Sequence, residues 1–363
     1  MLVEKRVFEL PSFVTEGGAS IRNVRVGWES YGTLAPDRSN AILVTHYFSG
    51  TSHAAGRYEP GDELPGYWDA IIGPGKAIDT ERWFVLSSDT LVNLNVRTPN
   101  VVTTGPASVD PATGRRYGMS FPVVTIGDFV RVQKALVASL GIGRLAAVAG
   151  PSMGALQAYE WAASFPEMVE RIVPVIGAAG GDPYLIAWLD MWAQPIRLDP
   201  HWNGGDYDDS RPPLAGLAAS LKLVTLHAAQ SGWARSQFGR RPAAEGEEPA
   251  AALGHRYLVQ AALDEIGRTR AAGGDANHLL YLAKANQLAA TDPARIAVPA
   301  LVISSPTDLV FAQEWMDRTA DAIAANGVHV ERATLDGPNG HLNGIYDIAQ
   351  AGPAIRAFLG RPL

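Results

Sequence analysis

A serine between two glycines, in Gly150-Pro151-Ser152-Met153-Gly154, is the pattern in this chain that points most directly to covalent chemistry. Serine on a tight strand-to-helix turn exposes its hydroxyl, and flanking glycines let the backbone approach without a side-chain clash. An apolar run at 145–149 precedes the motif, and a helical pattern reaching about Ser164 follows it. This context favours Ser152 as a nucleophile over the alternative, a serine that only caps the helix.

A serine hydroxyl needs a base to accept its proton. When the nucleophile lies on a strand-to-helix turn, the acid follows it in the chain and the histidine comes last. Of the eight histidines, only His329 and His341 follow a suitable acid. Alternation in Val-His-Val-Glu directs His329 to the surface, whereas His341 lies in the loop 336–341 after a predicted strand. We therefore predict His341 as the base, the alternative being a loop histidine without a role.

A carboxylate must orient that base. Asp308 follows the predicted strand 300–304 through Ser-Pro-Thr, at the carboxyl edge of the sheet. Asp317 falls inside a predicted helix, and Asp336 is close enough in sequence to His341 to brace its loop instead. Asp308 is therefore the predicted acid, and the alternative is that it only caps the next helix.

A tetrahedral intermediate needs backbone N–H donors aimed at its oxyanion. The residue after the nucleophile, Met153, supplies one. The other comes from the loop that follows an early strand, here His46-Tyr47-Phe48-Ser49-Gly50 after 41–45. The topology nominates the Phe48 N–H.

Apolar runs and helical patterns alternate along most of the chain, which is typical of a parallel α/β sheet. This order predicts an α/β-hydrolase fold with a mostly parallel central sheet, helices on both faces and an inserted helical lid. Strands are predicted at 22–31, 41–45, 83–87, 145–149, 172–176, 300–304 and 329–333, and helices at 126–140, up to 164, 311–325 and 345–359.

Between 180 and 290 the strand pattern stops, and Ala-, Trp- and Leu-rich helical stretches replace it. We predict a core domain formed by 1–179 and 291–363, with 180–290 inserted as the lid domain.

Composition narrows the classes of function. The 363 residues are 47% hydrophobic and 18% charged, which is typical of a globular protein. The net charge of −7 without a long basic run argues against nucleic acid and anionic membranes as partners. The N-terminus has no secretory pattern, so a cytoplasmic location is expected. No cysteine is present, and His46 and His53 lack metal-ligand spacing, so neither a metal nor a cofactor is predicted.

Several motifs resemble those of the homoserine O-acetyltransferase family: 73–79 (GPGKAID), 105–108 (GPAS), 110–114 (DPATG), 150–154 and 202–207 (WNGGDY). The similarity continues in order through 275–277 and the Asp308 and His341 segments. It implies an α/β-hydrolase core with a helical lid, double displacement through an acyl-serine, and a homodimer joined through the lid helices.

Two departures from that family concern the substrate pocket. Its lid carries an Arg-Gln pair whose arginine holds an amino-acid carboxylate, and here the pair is Ala193-Gln194. Alanine cannot replace a guanidinium, and Arg197, one helical turn away, compensates only partly. A Gly-Gly-Cys loop of the family is replaced by 91–100. We predict that Ala193, Trp192 and Arg97 border the pocket.

These departures favour the esterase branch of the family. The leading prediction is a serine carboxylesterase that hydrolyses short acyl esters, acetates first, with a small-molecule ester as its partner. One alternative is acetyl-CoA-dependent O-acetyl transfer to homoserine or another alcohol. Another alternative is a non-catalytic binding module, since fold does not fix function.

Overall fold

The computed structural model describes residues 1–362. Strands occur at Arg6–Val14 (β1), Ser20–Tyr31 (β2), Ala41–Thr45 (β3), Ile72–Gly73 (β4), Ile78–Asp79 (β5), Phe84–Ser88 (β6), Ala147–Pro151 (β7), Ile172–Val175 (β8), Ala300–Ser304 (β9) and Val330–Thr334 (β10). Helices occur at Ile126–Ser139 (α1), Met153–Ser164 (α2), Pro183–Leu198 (α3), Leu214–Ala228 (α4), Ser231–Gln237 (α5), Leu258–Gly273 (α6), Ala276–Gln287 (α7), Gln313–Ala325 (α8), Asn343–Tyr346 (α9) and Gly352–Gly360 (α10). No helix within 1–362 is long and apolar enough to cross a membrane.

One sheet organises the molecule, with strand order β1-β2-β6-β3-β7-β8-β9-β10. The pairs β1–β2 and β2–β6 are antiparallel. All pairs from β6 to β10 are parallel, so the predicted mostly parallel sheet is confirmed. The carboxyl ends of these strands meet at one edge, where ligands bind in open α/β sheets.

Alternating side chains divide the core between the two faces of this sheet. Leu43 of β3 belongs to one buried cluster, whereas its neighbours Ile42 and Val44 belong to another. The first cluster includes Trp161 of α2, and the second includes Phe358 of α10. Helices therefore cover both faces, as expected, and the central strands are fully buried.

Local capping explains why α1 begins and ends where the sequence predicts. The Thr125 hydroxyl accepts a hydrogen bond from the Asp128 N–H, and the Asp128 carboxylate accepts one from the Thr125 N–H, a reciprocal capping box. At the other end Gly141 adopts φ of +69°, the left-handed conformation that ends helices.

The chain between β8 and β9 carries helices α3 to α7. Its two ends meet where Gly180 and Ala290 form an antiparallel backbone bridge. Within this segment α4 packs against α3 and α6, and α3 packs against α7. We call residues 180–290 the helical insertion; the division of the chain into two domains stays a prediction.

Among the element predictions that differ from the structure, three have a clear local cause. Strand β7 lies two residues later than predicted because Gly150 and Pro151 continue its pairing with β8. The single helix predicted at 345–359 is divided, and α10 starts anew at Gly352 followed by Pro353, which lacks an N–H. Strand β1 was not predicted; its mostly exposed residues and Pro11 weaken the pattern, but it pairs along β2.

Candidate active site

Ser152 lies at the sharp turn between β7 and α2. Its φ is +58° and ψ is −118°, a backbone conformation that a non-glycine residue adopts only where the surroundings enforce it. Its N–H donates to the Val175 carbonyl at 2.9 Å. A Cβ on Gly150 or on Gly154 would collide with Thr45 at the end of β3. The glycines thus permit the close packing that holds the turn.

The side chain of Ser152 does not cap α2. Its hydroxyl instead lies 2.8 Å from Nε2 of His341, and Nδ1 of His341 lies 2.7 Å from Oδ2 of Asp308. All three residues are buried, with exposed fractions of 5% to 7%. The structure therefore brings together the three residues that the sequence nominated, in the order expected of a nucleophile, a base and an orienting acid.

Asp308 uses its two oxygens for different purposes. Oδ2 accepts from the His341 ring, and Oδ1 accepts from the N–H groups of Val310 at 2.7 Å and Phe311 at 2.9 Å. Helix α8 begins later, at Gln313, so Asp308 does not cap it. The carboxylate is fixed by its own loop, which in turn fixes the tautomer and orientation of His341.

The other acidic and histidine candidates lie away from these groups. His329 is exposed and lies 3.1 Å from the Glu331 carboxylate. Asp317 is on α8, where it contacts Arg332, and Asp336 is exposed. These placements agree with the reasons for setting them aside.

Two backbone N–H groups are free to bind an oxyanion. Within residues 1–362, neither the Phe48 N–H nor the Met153 N–H donates a hydrogen bond. Met153 is the first residue of α2, where the N–H groups have no intrahelical acceptor and the helix dipole favours negative charge. The loop of Phe48 rests on α2, since Gln157 donates to the His46 carbonyl at 3.3 Å.

The loop at 91–100 braces this oxyanion loop, residues 46–50. Asn93 donates to the Gly50 carbonyl at 3.0 Å, and Asn95 donates to the Ser49 carbonyl at 2.9 Å. The sequence identified 91–100 as remodelled pocket wall, but it gave no sign of these two contacts. Both asparagines hold backbone next to the Phe48 N–H, so the loop contributes to the site by positioning it.

The three predicted pocket residues have different surroundings. Trp192 is buried and packs edge-on against Phe48, with ring centroids 5.4 Å apart. Ala193 borders a cavity of about 400 Å³ between α3 and α7, which is also lined by Arg197 and Lys284. Arg97 instead pairs with Asp209 at 3.2 Å and Asp275 at 3.5 Å, so its charge is engaged away from Ser152.

Arg197 does not replace the missing guanidinium at position 193. Its Nη1 lies 2.5 Å from the carboxylate of Asp190, about two helical turns earlier on α3. A guanidinium neutralised in this way has less charge to offer a second carboxylate.

His227 of α4 is a residue of the site that the sequence did not reveal. Its Nε2–H donates to the Leu309 carbonyl at 2.9 Å, beside Asp308, and its ring stacks on Trp188 at 4.1 Å. Burial lowers the pKa of His227 to about 4, so the ring is neutral at pH 7. His227 reaches the Asp308 loop only because α4 packs over the sheet. The residues next to it in sequence form no motif that predicts this position.

The arrangement can carry out acyl transfer. A neutral His341 accepts the Ser152 proton through Nε2, and Asp308 stabilises the resulting imidazolium. The Phe48 and Met153 N–H groups, which donate no hydrogen bond within residues 1–362, stay the predicted donors to the oxyanion. Trp192 of the insertion packs edge-on against both Phe48 of the oxyanion loop and His227 of α4.

Comparison with known proteins identifies the family. A family model described as alpha/beta hydrolase fold matches residues 94–345. The homoserine O-acetyltransferase of Symbiobacterium thermophilum is 38% identical over 357 residues, covering 95% of this chain and 91% of that protein. The chain belongs to the homoserine O-acetyltransferase family of the α/β hydrolases.

Solved structures of this family include both transferases and esterases. The crystal structure of esterase E22 matches with a TM-score of 0.94 and 48% identity, covering 99% of this chain and 100% of the other. Homoserine O-acetyltransferase from Bacillus anthracis matches with a TM-score of 0.94 and 35% identity, covering 99% and 98%. The predicted family and fold are confirmed. The similar proteins have two different activities, since some are esterases and others are transferases.

Proposed function

We propose that this α/β-hydrolase enzyme is a serine carboxylesterase acting on short acyl esters, acetates first. The observation that carries the proposal is a hydrogen-bonded Ser152, His341 and Asp308 beneath an insertion with alanine at position 193. The resemblance places an arginine there to hold the carboxylate of an amino-acid acceptor. Because this arginine is absent, we take water to be the acceptor of the acyl group. The 48% identity to esterase E22 supports the same choice.

The proposed reaction has two halves. Ser152 Oγ attacks the ester carbonyl as His341 takes its proton, and the oxyanion binds the Phe48 and Met153 N–H groups. Collapse forms the acyl-serine, and the alcohol leaves with the proton from His341. His341 then removes a proton from water, which attacks the acyl carbon, and the acid leaves as Ser152 regains its proton. Asp308 keeps its charge throughout.

O-acetyl transfer from acetyl-CoA to homoserine is the second candidate, favoured by the curated relatives at 38% identity and below over most of the chain. The two are separated by incubating the pure protein with p-nitrophenyl acetate and, separately, with acetyl-CoA plus homoserine. We expect p-nitrophenol release that is lost in Ser152→Ala. Rapid CoA release that depends on homoserine would contradict the esterase proposal.

A non-catalytic binding module is the remaining alternative. An active-site fluorophosphonate distinguishes it, because covalent labelling requires an activated serine. We expect labelling of the natural protein and none of Ser152→Ala. An unlabelled natural protein would favour the binding module.

We further propose a homodimer joined through the helical insertion, as the family resemblance implies. Met191 and Leu198 of α3 and Leu226 of α4 are exposed apolar side chains on that segment. A dimer joined through these helices would cover such side chains. Light scattering on the purified protein should give twice the chain mass, and a monomer at micromolar concentration would contradict the proposal.

A further inference from the structure

Arg270, near the end of α6, reaches into the interface between the helical insertion and the sheet without an acidic partner. Its Nη2–H donates to the Ser49 hydroxyl at 2.8 Å, and its Nη1–H donates to the Thr225 hydroxyl at 2.6 Å. The guanidinium is partly buried, and no carboxylate of the described chain pairs with it. Its polar neighbours are neutral.

Three other arginines have acidic partners. Arg97 pairs with Asp209 and Asp275, Arg197 pairs with Asp190, and Arg256 pairs with Asp264. Withdrawing a cation from water without a counter-ion is unfavourable. Burial lowers the pKa of Arg270, but a guanidinium stays charged in proteins. The fold thus keeps one uncompensated positive charge at this interface.

The contacts of Arg270 place this charge beside the proposed site. Ser49 directly follows Phe48, whose N–H is a proposed oxyanion donor. Thr225 lies two residues before His227, which touches the Asp308 loop. Arg270 therefore links the oxyanion loop to α4, the helix that carries His227.

We propose that Arg270 binds an anionic group of the substrate, a carboxylate or a phosphate, while the acyl carbon is at Ser152. A guanidinium has five N–H donors in a planar fork. The Ser49 and Thr225 hydroxyls accept from two of them, and the Leu221 carbonyl lies 3.5 Å from Nη1. The remaining donors match the oxygens of an anion, which pairs more strongly with guanidinium than neutral hydroxyls do. The inference rests on the esterase proposal and refines its substrate class to esters or thioesters carrying a negative charge.

This subsite differs from the carboxylate-binding position that Ala193 has lost. Ala193 is on α3 and faces the cavity toward α7, whereas Arg270 is on α6 and touches the oxyanion loop. An acyl donor or ester with its charge on the Ser49 side is therefore accepted, even though an amino-acid acceptor is not held at position 193.

Three pairs of probes test the inference, each with a charged and a neutral member. p-Nitrophenyl hemisuccinate carries a carboxylate in its acyl part, and its methyl ester is the neutral partner. p-Acetoxybenzoate carries a carboxylate in its alcohol part, and p-nitrophenyl acetate is the neutral partner. Acetyl-CoA and S-acetyl-N-acetylcysteamine test phosphate. The variant is Arg270→Gln, and the control is Arg240→Gln, which removes the charge of an insertion arginine that contacts Tyr257.

We expect Arg270→Gln to lower kcat/KM by about 10- to 100-fold for one charged probe and by less than about threefold for its neutral partner, the loss expected for a charge-assisted hydrogen bond. Arg240→Gln should change neither. The affected pair identifies where the charge lies. An equal loss on both members would show that Arg270 only positions Ser49, and no loss on any charged probe would also contradict the proposal.

Two further measurements keep the test decisive if Arg270→Gln does not fold. Arg270→Lys should retain part of the preference because it keeps the charge but loses the fork. In the natural protein, succinate or phosphate should inhibit p-nitrophenyl acetate turnover competitively, and added sodium chloride should weaken this inhibition. Absence of inhibition by either anion at low ionic strength would contradict the anionic subsite. If the natural protein shows no Ser152-dependent turnover of p-nitrophenyl acetate, that result contradicts the esterase proposal instead.

Discussion

The parallel sheet and the helical insertion contribute to the site in different ways. Ser152 and Asp308 follow the carboxyl ends of β7 and β9, and His341 follows β10, so strand ends fix all three. The insertion supplies Trp192 and His227 from α3 and α4, helices that pack over the sheet. This difference suggests that the sheet determines the chemistry and the insertion determines which molecules take part.

The largest expected effect tests the sheet half of this comparison. Ser152→Ala and His341→Ala should each lower kcat for p-nitrophenyl acetate by about 10⁴- to 10⁶-fold. Each variant removes one partner of the proton transfer from Ser152 Oγ to His341 Nε2. The double variant should lose little more, because members of a triad act as a unit. Losses that multiply in the double variant would contradict the assignment.

Asp308 allows the chemistry to be separated from the fold. Asp308→Asn should lower kcat by about 10³- to 10⁴-fold through the wrong His341 tautomer, yet keep an oxygen for the Val310 and Phe311 N–H groups. Asp308→Ala should lose activity and also about 1–3 kcal/mol of unfolding free energy, because those N–H groups lose their acceptor. Urea unfolding measures the free energy of unfolding of both variants. Equal stability of the two would contradict a role of the Asp308 carboxylate in holding the Val310 and Phe311 N–H groups.

The insertion half is tested at position 193. Ala193→Arg places a guanidinium beside a cavity of about 400 Å³ and should raise kcat/KM for homoserine in acetyl transfer by about 10- to 100-fold. Ala193→Met is the matched control, with added bulk and no charge. An equal gain in both variants, or none in Ala193→Arg, would show that this position does not decide the acceptor.

The smallest effect concerns His227 and pH. Its pKa of about 4 in the folded chain lies below the ordinary value of 6.5. Between these pH values the unfolded chain binds a proton that the folded chain does not, so stability falls as pH decreases from about 6.5 to about 4. His227→Gln should therefore lose less Tm than the natural protein between pH 7 and pH 5. His255→Gln, in the loop between α5 and α6, is the control. A pH dependence of Tm unchanged by His227→Gln would contradict this account.

Predictability from sequence also differs between the two regions. Ser152, Asp308 and His341 could be nominated because strand ends, chain order and residue type restrict the candidates. Strand β1 was not found, since mostly exposed residues weaken its alternation. The contacts of His227, Arg270 and Asn95 could not be found at all, because they depend on how helices and loops pack over the sheet, which no local pattern encodes.

The fate of the acyl group on Ser152 tests the central claim most directly. The protein is given p-nitrophenyl acetate with increasing homoserine, and acetate and O-acetylhomoserine are both quantified by mass spectrometry. Because position 193 offers no guanidinium to hold the amino acid, acetate should remain the dominant product, with its rate unchanged by homoserine. O-acetylhomoserine as the main product, with saturation in homoserine, would contradict the account.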